Sequence, residues 1–116
     1  MKEKEFVFND SNICVNPNKV KGEVKRFDWQ IETACINGRW ICGFIFGTPT
    51  SGWGSGAWSK DTENFPTEHD AIEAGAKRGI RFFEREQKDG MNIPVMLFQQ
   101  LKDLCGKPKP VQLTLF

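Results

Sequence analysis

Residues 29–46 read WQIETACINGRWICGFIF and predict a β-hairpin, around which the rest of the chain can be arranged. At its centre is Asn37-Gly38, a dipeptide typical of a two-residue type I′ turn, because both positions must accept a positive φ. Such a turn fixes the pairing register of the two strands. The predicted cross-strand pairs are Ile36–Arg39, Cys35–Trp40 and Ile31–Phe44.

This register divides the side chains of the hairpin between two faces. One face is almost entirely apolar, so we expect it to line the core. It carries Trp29, Ile31, Thr33, Cys35, Trp40, Cys42, Phe44 and Phe46. The other face is mixed near the turn and becomes polar toward Gln30.

The segments on either side of the hairpin are less regular. Short apolar runs at residues 5–8 and 12–15 predict a small second hairpin, because turn-forming residues separate them. Residues 16–19 predict a turn, and an extended segment is expected from about Glu23. Residues 53–58 predict a third strand, weakened by its glycines. We expect its small residues to let a helix approach the sheet closely.

Two helices are predicted after the strands. The first begins behind Thr67, a typical N-cap followed by acidic residues, and ends within residues 87–90. Its expected buried stripe consists of Ile72, Ala76, Gly79, Ile80 and Phe83. The second begins at about Pro94 and ends at Leu104. Its expected apolar face consists of Val95, Phe98, Leu101 and Leu104.

Strands followed by helices predict an α+β fold, with an antiparallel sheet of about three to five strands covered on one face. The predicted organisation is a single domain over residues 1–106 and an extended tail over residues 107–116.

Composition narrows the possible functions of the chain. The 116 residues carry a net charge of +1, with 27% charged and 39% hydrophobic residues. No apolar run reaches the roughly 18 residues of a membrane span, and the charged N-terminus lacks the apolar core of a secretory signal. We therefore predict a cytoplasmic protein with no membrane contact.

The sequence predicts neither catalysis nor a cofactor. The four cysteines form no C-x-x-C pair, and His69 is the single histidine. Because a metal site needs clustered ligands and a nucleophile needs an adjacent base, we expect free thiols, no metal and no catalytic residues. No pattern indicates a small-molecule substrate.

The tail carries the most specific motif in the chain. Lys107-Pro108-Lys109-Pro110 predicts a stiff, extended spacer, since proline fixes φ and removes a hydrogen-bond donor. The following Gln-Leu-x-Leu-Phe resembles the peptide with which bacterial and phage proteins dock on the replication sliding clamp. The resemblance implies that Gln112 enters a polar notch of the clamp. It also implies that Leu113, Leu115 and Phe116 fill a hydrophobic cleft, with Thr114 at a tolerant position.

A second interpretation of the tail remains open. Val111, Leu113 and Leu115 alternate with Gln112, Thr114 and Phe116, and this pattern also suits a strand on the edge of the domain's own sheet.

Basic residues on the first helix indicate nucleic-acid contact. Lys77, Arg78, Arg81, Arg85 and Lys88 fall on one stripe, which could neutralise phosphates without reading sequence. The alternative is an ordinary solvated face, because Glu73 and Glu84 stand four residues before two of these lysines. The predicted order of elements is also similar to small DNA-binding domains that lay a sheet in the major groove. That resemblance implies a DNA-contacting role for Arg39.

Together these patterns predict a non-enzymatic accessory protein of bacterial or mobile-element DNA metabolism, docked on the sliding clamp by its tail. The first alternative is a nucleic-acid-binding α+β domain whose tail completes its own sheet. The second is a protein-interaction domain anchored by Trp53 and Trp58, because rigid aromatic residues dominate binding hot spots.

Overall fold

A computed structural model describes residues 4–106 and places four strands before two helices. The elements are β1 (Asn18–Val24), β2 (Phe27–Ile36), β3 (Arg39–Gly47), β4 (Gly52–Ser55), α1 (Glu68–Lys88) and α2 (Val95–Asp103). The strands form one antiparallel sheet in the order β1-β2-β3-β4. The predicted α+β class is thus confirmed. Neither helix of the described residues combines the length and the apolar character needed to cross a bilayer.

The central hairpin has the predicted register. Ile36 pairs with Arg39 and Ile31 pairs with Phe44. The turn residues Asn37 and Gly38 have φ of 53° and 77°, as a type I′ turn requires. The expected core face is buried at Trp29, Ile31, Thr33, Phe44 and Phe46, whereas Cys35 and Trp40 near the turn are only half-buried.

The strand β1 replaces the predicted turn at residues 16–19 and begins earlier than the expected extended segment. It pairs with β2 across a tight turn at Lys25-Arg26. Lys25 adopts a φ of 57° there, a conformation that lysine rarely favours. The turn carries neither glycine nor asparagine, the residues that usually mark a positive φ in a sequence.

The N-terminal segment covers part of the second sheet face. Phe8 and Cys14 form a single antiparallel bridge, so the predicted small hairpin exists only as a loop with one bridge. A small cluster of Cys14, Ala34, Ile41 and Ala57, with Phe6 and Phe8 against it, fills the space beneath this loop.

The third predicted strand is shorter than expected, and its glycines have a different cause. The ordered strand β4 ends at Ser55, and the following loop crosses the sheet at Gly43, where a Cβ would overlap the backbone of Ala57. At Gly54, a Cβ would lie 2.9 Å from the Cα of Ile45. Close approach of backbone to backbone, rather than of a helix, therefore explains these small residues.

The helix α1 begins as predicted, and its predicted buried stripe is fully buried at three positions and half-buried at Ile72 and Ile80. The Thr67 hydroxyl accepts the backbone N–H of Asp70 at 3.1 Å, which caps the helix. Ala76, Gly79 and Phe83 are buried. A Cβ on Gly79 would lie 2.9 Å from Cε1 of Phe46, so this glycine lets α1 lie close to the sheet.

The predicted apolar face of α2 was wrong at Val95. This residue is 80% exposed, whereas Leu97 and Leu101 are fully buried. Because Leu97 and Leu101 stand four residues apart, they define the centre of the buried face, and Val95 falls outside it. A hydrogen bond of 2.8 Å from Trp29 Nε1 to Gln100 Oε1 fixes α2 against the sheet.

Candidate functional site

Basic and aromatic side chains converge where α1 passes the edge strand β4. Because Gly79 and Phe83 face the sheet, residues 78, 81, 82 and 85 lie on the flank of α1. Trp53 pairs with Phe46 and so projects from the helix-covered side of the sheet. The result is a small open pocket of about 160 Å³. We call it the arginine–tryptophan surface; it is lined by Trp53, Arg78, Arg81, Phe82 and Arg85.

Two phenylalanines hold the indole of Trp53 in place. Its ring stacks on Phe82 at a centroid distance of 5.9 Å and an interplanar angle of 16°. Phe44 packs against it at 4.8 Å. The residue nevertheless stays 52% exposed. An indole that is held by neighbouring rings and is still half exposed offers a rigid aromatic surface to a ligand.

The first arginine of the stripe is already engaged within the domain. Arg78 forms an ion pair with Glu63, and its guanidinium lies 5.3 Å from the centre of the Phe44 ring. Lys77 Nζ lies 4.0 Å from Glu73 Oε2, as expected for the alternative in which this stripe is an ordinary solvated helix face. These two cations are therefore partly neutralised by their neighbours.

The C-terminal half of the stripe is open. Arg81, Arg85 and Lys88 are exposed and form no ion pair with any residue in the range 4–106. Glu84 lies among them along a shallow groove of the helix surface. The groove thus carries three cations and one carboxylate among these residues, which leaves it positively charged.

Arg39 does not join this surface. It lies beside the Asn37-Gly38 turn, where its Nε donates to Asn64 Oδ1 at 2.8 Å. Arg85 instead lies in the last turn of α1, which is 21 residues long. At the opposite end of this helix, Glu68 accepts a hydrogen bond from the hydroxyl of Thr33 in β2. Arg39 is therefore not among the residues that line the arginine–tryptophan surface, although its partner Asn64 directly follows Glu63, the partner of Arg78.

The uncovered part of the second sheet face carries charges of both signs. Lys21, Glu23, Asp28 and Gln30 line one depression there, together with the exposed Ile45. Because its carboxylates oppose its lysine, this face lacks the positive field that a DNA-contacting sheet needs.

A third concave region lies at the tip of the hairpin. Phe6, Phe8, Cys35, Ile36 and Trp40 line a pocket of about 570 Å³. Phe6 meets Trp40 edge to face at 5.8 Å. Lys4, Glu5 and Asn37 also line it, so apolar and polar groups share this pocket.

Two of the four thiols, Cys42 and Cys105, have a raised pKa. Burial is the main factor that raises the pKa of Cys42 to about 12, although the nearby Arg78 opposes it. Burial also raises the pKa of Cys105. Both groups therefore stay protonated at neutral pH, and a protonated thiol is a weak nucleophile and metal ligand. Within residues 4–106, no three His, Cys, Asp or Glu side chains cluster with a geometry suited to a metal ion.

The structure brings together residues that no sequence pattern connects. The sequence predicts Trp53 as part of a third strand and as an anchor for a protein partner, and it predicts no functional role for Phe82. A usable signal was present, because burial of Phe83 leaves the adjacent Phe82 on the flank of the helix. What the sequence could not indicate was that β4 would place an indole against that flank.

The clamp-docking residues predicted from the tail, Gln112, Leu113, Leu115 and Phe116, lie outside the described residues. The chain matches no protein-family model, no curated protein and no solved structure among those compared with it.

Proposed function

We propose that the chain is a non-enzymatic adaptor of bacterial or mobile-element DNA metabolism that docks on the replication sliding clamp through its tail. The observation that carries this proposal is the motif Gln112-Leu113-Thr114-Leu115-Phe116. Its polar first residue and its three apolar anchors match the polar notch and hydrophobic cleft that the clamp offers to such peptides.

The apolar character of the motif supports a partner for these anchors. Three large apolar side chains gain about 1.5–3 kcal/mol each when they leave water, and a cleft on a second protein provides that burial.

The mechanism is recruitment by a short peptide. A peptide of this length binds modestly by itself, because ordering its backbone and side chains opposes the contact energy. A clamp ring presents several equivalent clefts, so copies of the chain that are joined to one another would gain affinity by avidity.

The decisive experiment measures binding of the full chain to a purified bacterial sliding clamp by isothermal titration calorimetry. We expect Leu115→Ala with Phe116→Ala to lower the affinity by at least about tenfold, since two apolar anchors are lost. The matched control is Thr114→Ala, which alters the tolerant position and should leave the affinity within about twofold.

The same variants distinguish docking from folding. If the tail docks on the clamp, the double variant keeps the melting temperature of the unaltered chain. If the tail instead completes the domain's own sheet, the double variant melts several degrees lower, since about 1 kcal/mol shifts a domain of this size by about 4–8 °C. That result, with no clamp binding by the unaltered chain, would overturn the proposal.

A second candidate function is nucleic-acid contact through α1, and it is favoured by the open cations Arg81, Arg85 and Lys88. Such contact neutralises phosphates and weakens steeply with salt. We expect salt-dependent retention on immobilised DNA that survives deletion of residues 112–116. Retention that disappears with the tail would count against a role for the helix.

A further inference from the structure

We propose that the arginine–tryptophan surface binds a single-stranded nucleic acid, with a base stacked on Trp53 and adjacent phosphates held by Arg81 and Arg85. This inference rests on the second candidate function, nucleic-acid contact, and names its ligand class and its site. It is independent of clamp docking by the tail.

The stacking half of the site is preorganised. Phe82 and Phe44 hold the indole of Trp53 from within the domain, so little side-chain entropy remains to be lost when a base arrives. The next residue on the same side of β4, Ser55, is small. Every base has a flat π-face, so such a platform accepts a base of any identity.

The residues proposed to bind phosphate lie along α1, beginning next to Trp53. Arg81 and Arg85 line the same pocket as Trp53, and each guanidinium presents a planar set of donors that matches phosphate oxygens. Lys88 stands seven residues beyond Arg81, about 10 Å further along the helix axis. The cations therefore form a short track that begins at the stacking platform.

The geometry favours a single strand over a duplex. In a duplex the bases stack on one another, and a protein reaches only their edges in the grooves. Trp53 lies in a pocket between β4 and α1 rather than on a protruding element. Only an unstacked base can present its flat face to a ring in that position.

The combination of groups also argues against an acidic peptide as the ligand. Carboxylates would pair with Arg81 and Arg85 but would leave the exposed part of the Trp53 side chain uncovered. Single-stranded nucleic acid satisfies both halves of the surface, because each nucleotide carries a π-face and a phosphate.

The first test measures binding of the full chain to an oligothymidylate of about twelve nucleotides and to a duplex of equal length, by fluorescence anisotropy. We expect the single strand to bind at least about tenfold more tightly. With about three phosphates neutralised, the logarithm of the association constant should fall with the logarithm of salt concentration at a slope of about −2.

Substitutions then test base stacking on Trp53 and phosphate binding by Arg81 and Arg85 separately. Trp53→Ala should lower the affinity for the single strand about ten- to hundredfold, as loss of a stacking partner does, and Trp53→Phe should retain part of it. Arg81→Ala with Arg85→Ala should make the salt slope shallower by about 1.4. The matched control is Lys60→Ala with Lys102→Ala, which removes equal charge from exposed positions outside the surface and should leave the affinity within about twofold.

Tryptophan fluorescence provides a second test, which remains valid if the Trp53→Ala variant fails to fold. Stacking of a base on an indole quenches its fluorescence, so the oligothymidylate should quench the unaltered chain and the Trp58→Phe variant. Trp58 is 41% exposed but belongs to the loop that meets Ile13. Trp53→Phe should abolish the quenching while the melting temperature stays within a few degrees of the original.

The outcomes distinguish single-strand binding at Trp53 from nucleic-acid contact in general. If duplex and single strand bind equally, and Trp53→Phe leaves the quenching unchanged, the single-strand inference fails while nucleic-acid contact stands. If neither nucleic acid binds, or if a polyglutamate peptide binds as tightly as the single strand, nucleic-acid contact fails as well. Clamp docking is tested separately through Leu115 and Phe116 and is unaffected by either result.

Discussion

Replacement of Gly79 by alanine sets two physical effects against each other on one helix. Alanine is the better helix former, which would stabilise α1 by about 1 kcal/mol. The added methyl group, however, would lie 2.9 Å from Phe46 Cε1 and 3.2 Å from Leu101 Cδ1. Both neighbours are fully buried, so neither can move aside without disturbing other packed groups.

The packing effect should exceed the propensity effect. Inserting a methylene-sized group into a filled core costs about 1–3 kcal/mol, against the gain of about 1 kcal/mol from helix propensity. We therefore expect Gly79→Ala to lower the free energy of unfolding by about 1 kcal/mol and the melting temperature by about 4–8 °C.

The assay is urea unfolding followed by circular dichroism, with an unchanged m-value as evidence that the unfolded state is not altered. Lys77 provides a control for propensity on the same helix, because its side chain is 57% exposed. Lys77→Ala and Lys77→Gly both remove the contact with Glu73, so they differ only in helix propensity. Alanine should be more stable than glycine at this position by about 1 kcal/mol.

A double-mutant cycle identifies the contact responsible. Phe46→Leu removes the ring atoms that the new methyl group would meet, so the cost of Gly79→Ala should shrink in that background, with a favourable coupling of about 0.5–3 kcal/mol. An increase in stability for Gly79→Ala alone, equal to the difference measured at Lys77, would refute the close approach of α1 to the sheet.

Three further changes test other parts of the domain. Leu97→Ala should cost about 2–5 kcal/mol in urea unfolding because it empties a buried site, whereas Val95→Ala should change stability by less than about 0.5 kcal/mol; equal costs would contradict the observed face of α2. Gly38→Ala should destabilise the hairpin by about 1 kcal/mol because φ is 77° there, and a neutral result would argue against the type I′ turn. Burial raises the pKa of Cys42 from 9.0 in the unfolded chain to about 12 in the folded protein. Its contribution to stability is therefore complete below pH 9 and is lost as the pH rises toward 12, because the unfolded thiol ionises first. Unfolding measured between pH 8 and pH 11 should show a shallower loss of stability in Cys42→Ala than in the unaltered chain, and parallel curves would contradict this assignment.

The hairpin and the first helix could be predicted because their signals are local. Asn37-Gly38 specifies one turn type, and that turn fixes every cross-strand pair in β2 and β3. Thr67 marks the start of α1 through a hydrogen bond within its own first turn. Neither inference needs knowledge of distant residues.

The sequence-based predictions were wrong where the deciding contact joins residues far apart in the chain, or where the local sequence carries no signal for the structure. The turn at Lys25-Arg26 has no residue suited to a positive φ, so β1 was missed. The buried face of α2 was misplaced at Val95, because both Val95 and Leu97 are apolar and only the position of the sheet selects between them.

By itself, the sequence determined the α+β order, the register of the central hairpin, the basic stripe of α1 and the tail motif from which clamp docking is proposed. Each depends on residues within a few turns or strand positions of one another, where bonding geometry limits the choices. Only the tertiary structure decided which cations of the stripe stay open. It pairs Arg78 with Glu63 and leaves Arg81 and Arg85 beside Trp53. Those contacts join residues far apart in the chain, and their partners depend on how closely glycines allow the helix and the sheet to pack.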